Sequence, residues 1–137
     1  MEDTPTAQKV VKIAIFEDCT TVFIHYEKLF TAMERKVELR LWTRVKDSTL
    51  PELVQFNPDL IITNLMLQAS VEDGFVLIPQ FQEVLHAVPI VVLSKHVSDR
   101  NLAGLEMKVR CLKAGAVAAF SKFPNYPPAE DFLQFVH

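Results

Sequence analysis

The stretch "PDLIITNLML", residues 58–67, is an apolar run interrupted by an asparagine. Residues 59–64 have the continuous hydrophobicity of a strand that is buried on both faces of a parallel sheet. In open parallel sheets the functional groups lie at the carboxyl ends of inner strands. Asn64 ends this predicted strand, so it occupies a position where the chemistry of such a protein is expected.

Strand patterns of similar length occur on both sides of this run. The runs VVKIAIF (10–16), VPIVVLS (88–94) and AVAAF (116–120) predict three more buried strands. The alternating segment VELRLWT (37–43) predicts a strand at the edge of the sheet.

Helical patterns separate the predicted strands. The first helix begins near Thr21, the second opens at Thr49, the third spans about 75–86 and the last lies within 127–136. In the fourth helix, four apolar side chains at helical spacing mark a face that we expect to pack on the core: Leu102, Leu105, Val109 and Leu112.

Five consecutive strand–helix units predict an α/β fold with a parallel sheet and helices on both faces. With right-handed crossovers, the expected architecture is a flavodoxin-like (βα)5 three-layer sandwich with strand order 2-1-3-4-5. Residues 10–137 form the predicted domain, and residues 1–9 are interpreted as a flexible N-terminal tail.

The composition narrows the class of protein. A chain of 137 residues has room for one domain, and a net charge of −3 gives no electrostatic case for nucleic acid or an anionic membrane. Two cysteines do not make a disulfide framework, and three glycines leave no phosphate-binding loop. Without a signal-peptide pattern or a membrane-spanning run, we expect a soluble cytoplasmic protein.

Polar side chains stand at the predicted carboxyl ends of four strands. Glu17 and Asp18 follow the first strand, Asn64 ends the third, Ser94 ends the fourth and Lys122 follows the fifth. In the order 2-1-3-4-5 these ends lie on one rim of the sheet, so the five side chains are expected to converge.

These segments resemble the receiver domains of bacterial response regulators. "KIAIFED" is similar to the first strand and acid pair of that family, and "PDLIITN" to the strand that ends in the phosphorylated aspartate. "PIVVLS" and "KAGAVAAFSK" are similar to the fourth strand and to the fifth strand with its lysine. The resemblance covers residues 10–137 and identifies the chain as CheY-like, in a two-component signalling system.

The resemblance implies a role for each residue on the rim. Glu17 and Asp18 would hold Mg²⁺, Ser94 would hydrogen-bond the phosphoryl group and Lys122 would contact its oxygens. Asn64 stands at the phospho-acceptor position, but an amide has no anionic oxygen to attack phosphorus. The chain is therefore predicted to be a pseudo-receiver that binds Mg²⁺ weakly or not at all and needs no other cofactor.

Other departures from the family pattern support the same prediction. The aromatic residue whose rotation reports phosphorylation is replaced by Ala119. The family lysine is followed by a cis proline, whereas Phe123 stands between Lys122 and Pro124, and a cis Lys122–Phe123 bond would cost roughly 2.5–4 kcal/mol.

The resemblance also implies a partner-binding face, formed by the fourth helix, fifth strand and fifth helix. Four basic side chains in this region are candidates for binding an acidic protein partner: Arg100, Lys108, Arg110 and Lys113. An exposed pair among the aromatic residues of the last segment is a second candidate patch: Phe123, Tyr126, Phe132 and Phe135. A homodimer through this face remains open.

The favoured hypothesis is a non-enzymatic signalling module that binds a protein partner without being phosphorylated. One alternative is phosphorylation at a substitute carboxylate; Asp59 lies at the wrong end of its strand, and Asp73 would need its loop to fold over the rim. A second is a flavodoxin-like small-molecule binder, which no loop motif supports. A third is the regulatory half of a transcription factor whose output domain is absent from the 137 residues.

Overall fold

The structure, a computed structural model, describes residues 9–136. Residues 1–8 of the predicted tail, and His137, lie outside the described residues. Strands and helices alternate in the order β1 (Val11–Phe16), α1 (Thr20–Thr31), β2 (Val37–Trp42), α2 (Thr49–Phe56), β3 (Leu60–Thr63), α3 (Glu72–Val84), β4 (Ile90–Ser94), α4 (Leu102–Ala114), β5 (Ala118–Ser121) and α5 (Ala129–Leu133).

The five strands form one parallel sheet in the order β2-β1-β3-β4-β5. This confirms the predicted flavodoxin-like order and places β2 at an edge. In the register, Phe16 lies opposite Thr63, and Ser94 lies opposite Ser121. The carboxyl ends of four strands therefore lie close together at one edge of the sheet.

The core has two halves because side chains alternate between the faces of each strand. Ala14 and Phe16 of β1 face the half that contains the buried side chains of α2, α3 and α4. Ile13 and Ile15 face the half that contains the buried side chains of α1 and α5. This alternation decides which face each residue beyond a strand end points to.

The prediction for the inner face of α4 is wrong. Exposure is 72% for Leu102, 41% for Leu105, 48% for Val109 and 44% for Leu112. The helix packs instead through small or flexible residues on its other side, listed here: Gly104, Met107, Cys111 and Ala114. The correct helical spacing was recognised, but periodicity alone does not say which side of the helix carries the core.

Gly104 explains how this side of α4 approaches the sheet. A Cβ atom there would lie 2.4 Å from the Cβ of Ser98 and 2.7 Å from its backbone nitrogen. The helix is held at this position by Asn101, whose Oδ1 accepts a hydrogen bond from the Gly104 N–H at 2.7 Å. An Asn N-cap and a glycine in the first turn thus fix the start of the helix.

Two further features bear on the sequence predictions. The cis peptide bond of this region joins Phe123 to Pro124, one residue later than in the family pattern. Within residues 9–136, no helix combines the length and the apolar character that a bilayer span requires.

Candidate functional site

Strand alternation brings three of the predicted side chains to one side of the sheet. Hydrogen bonds from Glu17 N to Trp42 O and from Asn64 N to Phe16 O keep the chain close to strand register past the ends of β1 and β3. Glu17, Asn64 and Lys122 each follow a residue of the α2, α3 and α4 side, so they point toward the α1 and α5 side.

A cavity of about 290 Å³ opens at this edge of the sheet. We call it the edge pocket and define it by four of the five predicted site residues that line it: Glu17, Asp18, Asn64 and Lys122. Four residues outside the predicted set also line it: Cys19, Lys95, His96 and Phe123. Each of these lies within two residues of a predicted site residue, which is the signal that could have identified them.

Glu17 and Lys122 form an ion pair inside the edge pocket. Lys122 Nζ lies 2.8 Å from Glu17 Oε1, and the two side chains are 11% and 2% exposed. Burial raises the pKa of the Glu17 carboxyl above its ordinary value, although the Lys122 ammonium opposes this shift. The lysine is thus committed to a buried carboxylate.

Asn64 is bonded through both ends of its amide. Its Nδ2 donates to Glu17 Oε2 at 3.3 Å, to Asp18 Oδ1 at 3.4 Å and to the Met66 carbonyl at 3.1 Å. Its Oδ1 accepts a hydrogen bond from Leu65 N at 2.8 Å. These partners fix the orientation, because a flipped amide would place an oxygen among three oxygens and an NH2 against a backbone N–H.

The edge pocket does not fit Mg²⁺ as it stands. Two carboxylates and a backbone carbonyl, which are oxygen ligands of the kind that Mg²⁺ takes, surround one point. That point is taken by the Asn64 nitrogen, which is a donor and cannot coordinate a cation. Within the described residues, no group of three or more His, Cys, Asp or Glu side chains is arranged to hold a metal ion.

Ser94 does not line the edge pocket. Its side chain is fully buried, and its Oγ accepts a hydrogen bond from His96 N at 3.1 Å. Ser94 lies in register with Ser121, so Lys122 is one residue further and points to the opposite face. The structure therefore does not place Ser94 with Lys122, contrary to the predicted convergence.

His96 is the polar side chain of the edge pocket with an unsatisfied atom. Its Nε2 is buried and has no hydrogen-bond partner within the part of the chain that the structure describes. Ala119, at the position of the family aromatic, is 2% exposed and packs in the core half of α2, α3 and α4. Its methyl group offers no rotation that could report on the pocket.

The two substitute carboxylates lie away from the edge pocket. Asp73 Oδ2 accepts hydrogen bonds from the backbone nitrogens of Gln68, Ala69 and Ser70 at 2.9, 3.0 and 3.2 Å, and these bonds, that of Ala69 first, lower the pKa of Asp73. Asp59 accepts from Lys12 N at 2.9 Å, near the start of β1. Neither carboxylate lines the edge pocket.

Two of the four basic partner-binding candidates are ion-paired within the chain. Arg110 donates to both carboxylate oxygens of Glu72 and lies 3.8 Å from the ring centroid of Phe75. Lys108 Nζ lies 2.9 Å from Asp99 Oδ1. Arg100 and Lys113 are exposed. In the aromatic patch Phe123 is 66% exposed, whereas Phe132 is fully buried.

Solved receiver domains have the same fold as this chain. A CheY-like response regulator receiver domain protein from Methanospirillum hungatei JF-1 superposes with a TM-score of 0.67 at 20% identity, over 92% of this chain and 90% of its own. A putative response regulator from Chloroflexus aurantiacus J-10-fl gives 0.71 at 20% identity, over 92% and 93%. The chemotaxis protein CheY4 of Vibrio cholerae gives 0.66 at 19% identity, over 94% and 100%.

No protein-family model and no curated protein matches the sequence. At these identities the structural likeness establishes the fold. The chain therefore has the flavodoxin-like fold of CheY-like response-regulator receiver domains.

Proposed function

We propose that this chain is a cytoplasmic signalling module that binds a protein partner and is not phosphorylated at Asn64. The observation that carries the proposal is the Asn64 amide nitrogen, which donates to Glu17, Asp18 and the Met66 carbonyl. The amide supplies positive hydrogens at the point where these oxygens converge. It removes the carboxylate that could accept a phosphoryl group and fills the space that a cation would need.

The remaining carboxylates of the edge pocket are poor substitutes for a phospho-acceptor. Glu17 is buried and paired with Lys122, so attack on phosphorus would break a 2.8 Å ion pair. Asp18 is more exposed, but it has no second cation beside it among the described ion pairs. Without a bound metal, the charge of a transferring phosphoryl group would be left without its principal stabilising partner.

A binding role without catalysis agrees with the fold and with the surface. The fold is that of proteins named as response regulators and as a chemotaxis protein, which supports a role in signal transduction. The core is well packed, whereas large apolar side chains are exposed on α4 and at Phe123. Exposed apolar side chains of this size are typical of interaction surfaces when they are contiguous.

Intact-mass spectrometry after incubation with acetyl phosphate and Mg²⁺ tests the proposal. The parent chain is expected to keep its mass, and the Asn64→Asp variant is expected to gain about 80 Da because it regains an acceptor carboxylate. A parent chain that gains this mass would contradict the proposal. An Asp73→Asn variant serves as the matched control, since it would lose the adduct if Asp73 were the acceptor.

A further inference from the structure

The four exposed apolar side chains of α4 form one stripe along the helix. We call Leu102, Leu105, Val109 and Leu112 the α4 stripe; their spacing of three, four and three residues places them on one side of the helix. The stripe runs ~15 Å along the axis. It lies away from Gly104 and Cys111, which face the core, so nothing in the described chain requires these side chains to be apolar.

A shallow groove of about 630 Å³ runs beside the α4 stripe. It is lined by residues of α4 alone: Leu102, Ala103, Glu106, Met107 and Arg110. Arg110 marks the side of the groove toward α3, because it reaches Glu72 on that helix. The stripe and the groove together give a ridge and a channel parallel to the helix, which is the shape that receives another helix.

The charge around the α4 stripe is basic, although the chain as a whole is acidic. Between residues 99 and 113 there are four basic and two acidic side chains, in a chain of net charge −3. The acidic side chains Asp99 and Glu72 each already pair with one of the basic ones. An occupant with acidic flanks would therefore be attracted, and a second copy of this surface would bring basic side chains together.

The size of the surface also distinguishes between these occupants. A stable protein–protein interface buries about 800 Å² on each partner. Four side chains on one helix are well short of that area, so a symmetric dimer held by the stripe alone would be weak. An amphipathic helix that binds in a groove needs only three or four anchors at i, i+3, i+4 and i+7.

We propose that the α4 stripe and its groove dock an amphipathic helix of another protein, with apolar anchors on one face and acidic side chains beside them. This deepens the proposed function, on which it rests, by naming the surface and the chemistry of the partner. The anchors pack between Leu102, Leu105, Val109 and Leu112, and the acidic flanks face Arg100 and Lys113.

The test uses two synthetic four-turn helical peptides and the full chain. Both peptides have leucines at the a and d positions; one has glutamates at e and g, and the other has lysines there. Binding is measured by NMR titration of the ¹⁵N-labelled chain. The variant Leu105→Ser/Val109→Ser removes the centre of the stripe, and Ile24→Ser, an exposed apolar residue on α1, is the matched control.

The expected result is binding of the glutamate peptide, with shift changes confined to α4 and its groove. We expect the affinity to fall at least tenfold in Leu105→Ser/Val109→Ser, to stay unchanged in Ile24→Ser and to be weaker for the lysine peptide. Absence of binding, equal binding of both peptides, or shifts elsewhere on the chain would overturn the proposal. So would a dimer of the parent chain, seen by sedimentation, that Leu105→Ser/Val109→Ser abolishes.

The result is independent of the test for phosphorylation. A parent chain that gained a phosphoryl group would overturn the proposed function and leave the peptide titration standing. A parent chain that kept its mass but bound neither peptide would overturn only the docking surface.

Discussion

The edge pocket and the α4 stripe differ in how far the fold satisfies their side chains. In the pocket, Glu17 pairs with Lys122, and Asn64 donates to two carboxylates and a carbonyl. On the stripe, Leu102 is 72% exposed and Val109 is 48% exposed, with no described residue covering them. The charged groups that could do chemistry are bonded to one another, while the apolar groups that could bind a protein are left open.

This difference indicates where activity has been kept. A pocket whose donors and acceptors are paired has little to offer a ligand, because a ligand must first displace those bonds. An uncovered apolar stripe gains free energy from any partner that covers it. The comparison therefore favours binding over phosphoryl chemistry, and variants of each region can test it.

The largest expected effect is in the edge pocket. Lys122→Met leaves the buried Glu17 carboxylate without its cation, and we expect a loss of about 3–5 kcal/mol in the free energy of unfolding at pH 7. Urea denaturation measures this. The matched control is Glu17→Gln/Lys122→Met, which removes both charges and should recover much of the loss. A loss below 1 kcal/mol in Lys122→Met would show that the ion pair is not the central bond of the pocket.

The two sides of α4 should respond in opposite ways to small changes. Gly104→Ala places a Cβ atom 2.4 Å from the Ser98 Cβ, so we expect overpacking to cost about 1–3 kcal/mol despite the better helix propensity of alanine. Leu112→Ser on the stripe should change stability by less than about 0.5 kcal/mol. Thermal unfolding of both variants measures the contrast. A strongly destabilised Leu112→Ser would mean that the stripe is buried in solution.

The smallest expected effect is a difference in pH dependence between two carboxyls. Burial raises the pKa of Glu17, so its contribution to stability is present below its unfolded-state pKa and is lost as pH rises through the folded-state value. Arg110 lowers the pKa of Glu72 beside α4, so the contribution of Glu72 is present above its unfolded-state pKa and is lost as pH falls through the folded-state value.

The free energy of unfolding of Glu17→Gln and Glu72→Gln, measured from pH 3 to pH 7 and subtracted from that of the parent, tests this contrast. The advantage of the parent over Glu17→Gln should shrink as pH rises, and its advantage over Glu72→Gln should grow. Slopes of the same sign for both variants would show that the Glu17 environment is not governed by burial.

The sheet and the pocket were predictable to different degrees from the sequence. The strand order followed from four continuous apolar runs and one alternating run, because a strand buried on both faces leaves that pattern. The meeting of Glu17, Asn64 and Lys122 followed from their positions at strand ends. The error for Ser94 came from strand register: Ser94 pairs with Ser121, so Lys122 points to the other face.

Two features of the site had no signal in the sequence. The Met66 carbonyl completes the set of oxygens around the Asn64 amide, and a backbone oxygen is present at every residue. The face of α4 was misassigned because its buried side carries Gly104 and Cys111, which look less apolar than the exposed leucines. Small residues allow close approach of the helix, so the more hydrophobic side of a helix is not always the buried one.

The central claim is that the Asn64 amide nitrogen occupies the position of a cation. Paramagnetic broadening by Mn²⁺ tests it most directly, since the backbone amide signals of residues 17–19 and 64–66 lie around that position. The account predicts no selective broadening of these signals in the parent chain and strong broadening in Asn64→Asp, where a carboxylate replaces the amide donor. Selective broadening of the same signals in the parent chain would contradict the account.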